Sequence, residues 1–152
     1  MAKKELYYFS VDALLKVATE DPACVPLRLF FDQQAHVVTT RQCYEEAYRL
    51  YAQHHIVEKK AEAHFKTYFD KVELVKSGVE SDGIHEIMQR YSLGEAGASL
   101  IAAIREGSLQ ANERQSMRYL VTSEAALIDA AKQEKIDFHD YSKEEFCSKY
   151  GT

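Results

Sequence analysis

The chain has 152 residues, 46% of them hydrophobic, which suffices for one well-buried core and argues against two full domains, so a single domain over 1–152 is expected. A formal net charge of −5 carries no basic footprint of a groove-binding protein, and nucleic acid is neither favoured nor excluded by charge alone. Cys24, Cys43 and Cys147 form an odd set with no Cys-x-x-Cys pair, which argues against a disulfide framework or a thiolate zinc site and fits a reducing cytoplasm.

The start, "MAKKELYYFSVDALLKVA", is basic, but Ser10 and Asp12 interrupt its apolar part. Neither a signal peptide nor a membrane span is expected. From Leu6, "LYYFSV" is aromatic and β-branched and reads as a buried strand, followed at once by helical "DALLKVA" with an acid at the switch. The chain turns around Pro22 and Pro26, "VPLRLFFDQQ" reads as a short helix, and "HVV" at 36–38 as a second strand. In "TTRQCYEEAYRLYAQHH", Thr39 and Gln42 have capping-box spacing, and Cys43, Ala47, Leu50 and Tyr51 share one helical face.

"VEKKAEAHFKTYFDK" predicts a charged helix with Ala61, Phe65 and Tyr68 on one side, "VELV" at 72–75 a third strand, and "KSGVESDG" a loop. "IHEIMQRY" and "LGEAGASLIAAIREG" follow as two helices, the second small enough in its residues to lie close against a sheet. After the polar stretch "SLQANERQSMR" come a strand at 119–121, a helix from Glu124 to Gln133 and a last strand at 136–139. This alternation predicts a three-layer α/β/α sandwich around a central, mostly parallel sheet of four to five strands.

Sites in such sheets form beyond the carboxyl ends of the strands. That rule selects Asp12 after the first strand and Glu124 after the 119–121 strand. Glu46, one residue before apolar Ala47, and Glu95, in the first turn of the small-residue helix, are two further candidates. Four carboxylates meeting on one rim need a cation, and all-oxygen ligation suits Mg²⁺ or Mn²⁺, which points to metal-assisted hydrolysis. Each acid also has a plain structural reading. Glu95 lies three residues after Ser92, as in a capping box; Asp12 and Glu124 are acids at helix starts; Glu46 pairs with Glu45 on a solvated face. Glu144 and Glu145 after Ser142 look like another capping box. The six histidines have no zinc spacing, and no Gly-rich phosphate loop occurs. Tyr44 and Tyr48 are candidates to face a nucleic-acid strand.

Taken in order, the strand-acid-helix start, "TTRQCYEEAYRLY", "YSLGEAGASLIAAI" and "YLVTSEAALIDAAKQEKIDFHDYSKEEF" resemble a PIN domain, the fold of many metal-dependent ribonucleases, including the toxins of toxin–antitoxin pairs. The resemblance spans nearly the whole chain. Its most specific parts are Gly94-Glu95 before small residues and "LIAA", and Thr122-Ser123-Glu124 in place of a strand-ending Thr-x-Asp. It implies that Glu46, Glu95 and Glu124 are the family's second, third and fourth acids. In "FSVDALL" it aligns Ser10 with the family's leading Asp and Asp12 with its Asn/Ser position.

On this resemblance, Asp12, Glu46, Glu95 and Glu124 would be the catalytic acids. They would hold one or two Mg²⁺ or Mn²⁺ ions that activate water against a phosphodiester of single-stranded RNA. Ser10, Thr122 and Ser123 would support them by hydrogen bonds. Lys16, Arg41, Lys59 and Lys60 would be the cations along the RNA backbone. The resemblance also implies an antitoxin or other protein partner, a homodimer and a cytoplasmic setting. Because serine stands where the family has its leading Asp, the alternative is a degenerate, non-catalytic PIN-like module that binds protein or RNA.

Overall fold

A computed structural model of the chain describes residues 5–19, 24–34, 36–54, 65–67, 69–75, 81–107 and 117–150. Strand β1, Glu5–Phe9, is buried at Leu6, Tyr7, Tyr8 and Phe9 alike. A strand covered on both faces has no polar side to alternate with, which is why its sequence is a continuous apolar run. It pairs in parallel with β2, Val37–Thr39, and with β4, Met117–Thr122. Two-residue β3, Glu73–Leu74, and β5, Asp137–Asp140, complete the edges, giving the all-parallel order β3-β2-β1-β4-β5.

Helices α1 (Val11–Ala18), α2 (Val25–Gln33), α3 (Arg41–His54), α4 (Ser81–Tyr91), α5 (Glu95–Gly107), α6 (Ala125–Gln133) and α7 (Glu144–Tyr150) cover the sheet. They divide between the two faces of the sheet. Tyr7 and Phe9 of β1 look into a core with Leu14 and Val17 of α1, Phe30 and Phe31 of α2 and Phe146 of α7. Leu6 and Tyr8 look the other way, onto Ile87 of α4, Leu100 and Ile101 of α5 and Leu127 of α6. Each such fully buried Leu or Phe contributes about 2 kcal/mol, so these two layers hold the sheet between them. The three-layer α/β/α sandwich expected from the sequence is the architecture observed.

Several boundaries move by one to three residues. The cap of α3 is Thr40, whose Oγ1 accepts from the Cys43 amide at 3.2 Å. Thr39, expected as the cap, ends β2, and its hydroxyl donates to the Phe9 carbonyl at 2.8 Å. Helix α5 starts on Gly94, whose carbonyl takes the Ala98 amide, while Ser92 stands in the left-handed region at φ 54. Ser142, expected to cap α7, instead donates its amide and hydroxyl back to Asp140 at 3.0 and 2.6 Å. Helix α4 begins at Ser81, inside the segment expected to be loop. Of the helix expected over 57–71, residues 65–67 are helical with Phe65 fully buried; Ala61 and Tyr68 lie outside the described residues. The small residues of α5 do bring it close to its neighbours: a Cβ on Gly97 would stand 3.2 Å from Leu127 of α6.

Two polar ties fasten helices. Lys71 Nζ closes the end of α2 on the carbonyls of Phe31 and Gln34. Glu134, at the end of α6, accepts from Tyr91 OH at 2.5 Å and from Arg105 at 3.0 Å, with Arg90 at 3.6 Å. This carboxylate joins α4, α5 and α6 and is only 12% exposed. Among the described residues no helix is long and apolar enough to cross a membrane.

The Tyr91 hydroxyl, then the Arg105 guanidinium, hold the Glu134 carboxyl below its ordinary value against the opposing effect of burial. A depressed carboxylate contributes stability that is present above its unfolded value and lost as pH falls through its folded one. Glu134→Gln is therefore expected to cost about 1 kcal/mol at pH 7. In urea melts at several pH values the gap to the parent protein should shrink below about pH 4.

Candidate functional site

The carboxyl ends of β1 and β4 lie side by side, with Phe9 opposite Val121 and the Ser10 amide bonded to the Val121 carbonyl at 3.2 Å. Here β1 gives way to α1 through Ser10, which has extended backbone (φ −77, ψ 172) and takes the Ala13 amide on its hydroxyl. Serine is a favoured residue at such a cap. It is wholly buried.

Asp12, in the first turn of α1, is turned back across the strand ends. Its Oδ1 accepts from Ser10 Oγ and from Thr122 Oγ1 at 2.9 Å. Its Oδ2 accepts from the Ser123 amide at 3.0 Å, from Ser123 Oγ at 3.3 Å and from Tyr141 OH at 2.8 Å. Tyr141 follows β5 and is 5% exposed. Burial, and then the charge of Asp12, push its hydroxyl far above the usual tyrosine value. It is thus a fixed donor. One carboxylate joins α1, the end of β4 and the segment after β5.

Glu124 is the cap of α6, yet its side chain caps nothing. Glutamate is not among the residues favoured there, so capping does not account for it. Its amide is held instead by Thr122 Oγ1 at 3.1 Å, and its side chain lines a cleft of about 560 Å³ between the starts of α5 and α6 and the side of α3. Glu45, Glu46 and Arg49 of α3 and Glu95 of α5 line the same cleft, over apolar Val11, Leu50 and Leu93. Partial burial first, and then the charge of Asp12, raise the Glu124 carboxyl above its usual value. The residue as a whole still reaches solvent, so the effect on stability is small.

Glu46 carries a bidentate ion pair from Arg49, whose Nε donates to Oε2 at 3.1 Å and whose Nη2 donates to Oε1. That pairing holds the Glu46 carboxyl below its usual range. Glu95 is exposed in the first turn of α5. Three of the four expected acids, Glu46, Glu95 and Glu124, therefore share one cleft. Asp12 sits behind it, close enough for its charge to act on Glu124.

The donor set does not fit a resident Mg²⁺ or Mn²⁺ ion as arranged. A carboxylate offers about four acceptor positions, and five protein donors already occupy those of Asp12. Both oxygens of Glu46 are taken by Arg49. Among the described residues no group of three or more His, Cys, Asp and Glu side chains stands close enough to hold a metal ion.

Thr122 and Ser123 hydrogen-bond the carboxylate of Asp12. Tyr141 and Arg49 were missing from the sequence-derived set. Tyr141 had a positional signal, following the last strand of a parallel sheet; Arg49 stands one helical turn after Glu46. Of the cations expected along an RNA backbone, Arg41 pairs with Glu45 at 2.8 Å, Lys16 lies in the last turn of α1, and Lys59 and Lys60 lie outside the described residues. Tyr44 and Tyr48 set their rings edge-on against Phe65, at 5.3 and 5.5 Å, and so belong to the core's margin.

No protein-family model and no curated protein matches the chain. Among solved structures it is similar to the crystal structure of PAE2754 from Pyrobaculum aerophilum, with a TM-score of 0.56, 16% sequence identity and 86% of each chain covered. That likeness is one of fold.

A carboxyl whose value is raised on folding contributes stability below its unfolded value and loses it as pH rises. Glu124→Gln is expected to melt slightly higher than the parent protein at pH 7, with the difference vanishing below about pH 4; calorimetry across that range checks it.

Proposed function

We propose that this chain is a PIN-like module without catalysis that binds a basic segment of a protein partner through the glutamate-lined cleft. The observation that carries the reading is the division among the acids. Asp12 is consumed by protein donors, whereas Glu45, Glu46, Glu95 and Glu124 line one cleft, where Arg41 pairs with Glu45 and Arg49 with Glu46, and Glu95 and Glu124 lie outside those pairs. An RNA backbone brought there would meet like charge unless divalent ions bridged the two. An arginine- or lysine-bearing segment needs no bridge, and the partly desolvated Glu124 gains most from a cation beside it.

Magnitude narrows the partner further. Rim ion pairs contribute about 0.2–1 kcal/mol each, so a handful of them alone give an affinity no better than about millimolar. A useful affinity then requires apolar side chains on the segment as well, set against Val11, Leu50 and Leu93. An antitoxin or another cytoplasmic protein with a mixed basic and apolar segment meets that description.

A second reading is favoured by the convergence of Glu46, Glu95 and Glu124: a Mg²⁺- or Mn²⁺-dependent ribonuclease acting on single-stranded RNA, toxin-like in role. One experiment separates the two. A fluorescein-labelled peptide of alternating Arg and Leu should bind in anisotropy titrations, at least tenfold more weakly in the Glu95→Gln, Glu124→Gln double variant and more weakly in 0.5 M NaCl, because screening removes the charge contribution. Absence of peptide binding would overturn the proposed partner, and cleavage of labelled single-stranded RNA with Mn²⁺ that Glu95→Gln abolishes would overturn the proposal in favour of the nuclease.

A further inference from the structure

The misfit at Asp12 has a positive side. Its carboxylate takes Thr122 Oγ1 on one oxygen and the Ser123 amide and hydroxyl on the other, while the same Thr122 Oγ1 takes the Glu124 amide. Three consecutive residues at the end of β4 are thereby fixed by one acid that lies about 110 residues earlier in the chain. Ser10 and Thr122 are fully buried and Tyr141 nearly so, so these donors hold the half-buried carboxylate from its protein side. The side chain of Glu124 leaves this fixed turn without capping α6 and enters the cleft.

We infer that Asp12 is a positioning residue: saturated by Ser10, Thr122, Ser123 and Tyr141, it holds the 122–124 turn so that Glu124 faces the cleft, and it does this in place of ligating a metal. The four partners are unequal. Ser10 and Tyr141 orient the carboxylate from the α1 side and from beyond β5. Thr122 alone touches both Asp12 and the Glu124 amide, which makes it the link. Removing its hydroxyl while keeping its shape should free the turn without emptying the core around it.

The inference takes the cleft as the site but does not depend on what fills it. Its test is amide hydrogen exchange by NMR on the parent protein, Thr122→Val and Thr122→Ser, with thermal melts of the parent protein in 1 mM MnCl₂ and in EDTA. The Ser123 and Glu124 amides should be protected in the parent protein and in Thr122→Ser. In Thr122→Val the Glu124 amide should exchange at least tenfold faster while amides elsewhere in β1 and β4 keep their protection. The labelled Arg-Leu peptide should then bind at least fivefold more weakly to Thr122→Val and normally to Thr122→Ser. Melting temperature should be the same with MnCl₂ and with EDTA. A peptide that binds neither variant nor parent protein would sink the proposed partner and leave the exchange and metal results to decide this inference. Unprotected amides at 123 and 124 in the parent protein, or a Mn²⁺-dependent rise in its melting temperature, would overturn it.

Discussion

A carboxylate drawn back, half-buried, to the meeting point of three chain segments must have its inward lone pairs filled, since an unpaired charge away from water is costly. Asp12 meets that constraint with protein donors alone: two hydroxyls on one oxygen, and an amide, a hydroxyl and a phenol on the other. Around it the rest of the functional end is arranged. Ser10 must cap α1 and face inward, β4 must stop at Thr122, and the segment after β5 must return far enough for Tyr141 to reach 2.8 Å from the acid.

The parallel sheet explains why this happens at one end only. Parallel strands all point their carboxyl ends to the same side, and there the following helices begin, so acids selected for helix starts accumulate on one rim. On that rim the acids take two kinds of work. Asp12 joins strands and helices below the surface, whereas Glu46, Glu95 and Glu124 form the acidic wall above it. Arg41 and Arg49 temper the wall without neutralising it, because they pair with Glu45 and Glu46 while Glu95 and Glu124 lie outside those pairs. The charge that remains favours a cationic partner, and the apolar floor favours one with hydrophobic side chains.

Much of this was legible from the residues. The continuous apolar run of β1, the small-residue character of α5 and the strand-helix alternation specify the sandwich, because doubly buried strands and close helix packing leave few other choices. The same logic selects Asp12 and Glu124 at strand ends, whereas Glu46 and Glu95 were candidates from their helix positions. The caps were less legible: Thr39 and Thr40 are adjacent and chemically alike, and only the demand of the Phe9 carbonyl for a donor assigns Thr39 to the strand. Ser92 and Ser142 have the spacing of caps, but left-handed backbone at one and the pull of Asp140 at the other send the chain elsewhere. The role of Asp12 was beyond local reading, since its partners other than Ser10 lie about 110 to 129 residues away and spacing within a motif says nothing about them.

Asp12 as a structural acceptor, the role proposed above, is incompatible with Asp12 as a metal ligand. An anomalous difference map from crystals soaked in MnCl₂ tests it most directly. The account predicts no peak among Asp12, Glu46, Glu95 and Glu124, with the Tyr141 and Thr122 hydroxyls still on the Asp12 carboxylate. A well-ordered Mn²⁺ ligated by Asp12 and Glu124, with those hydroxyls displaced, would contradict it.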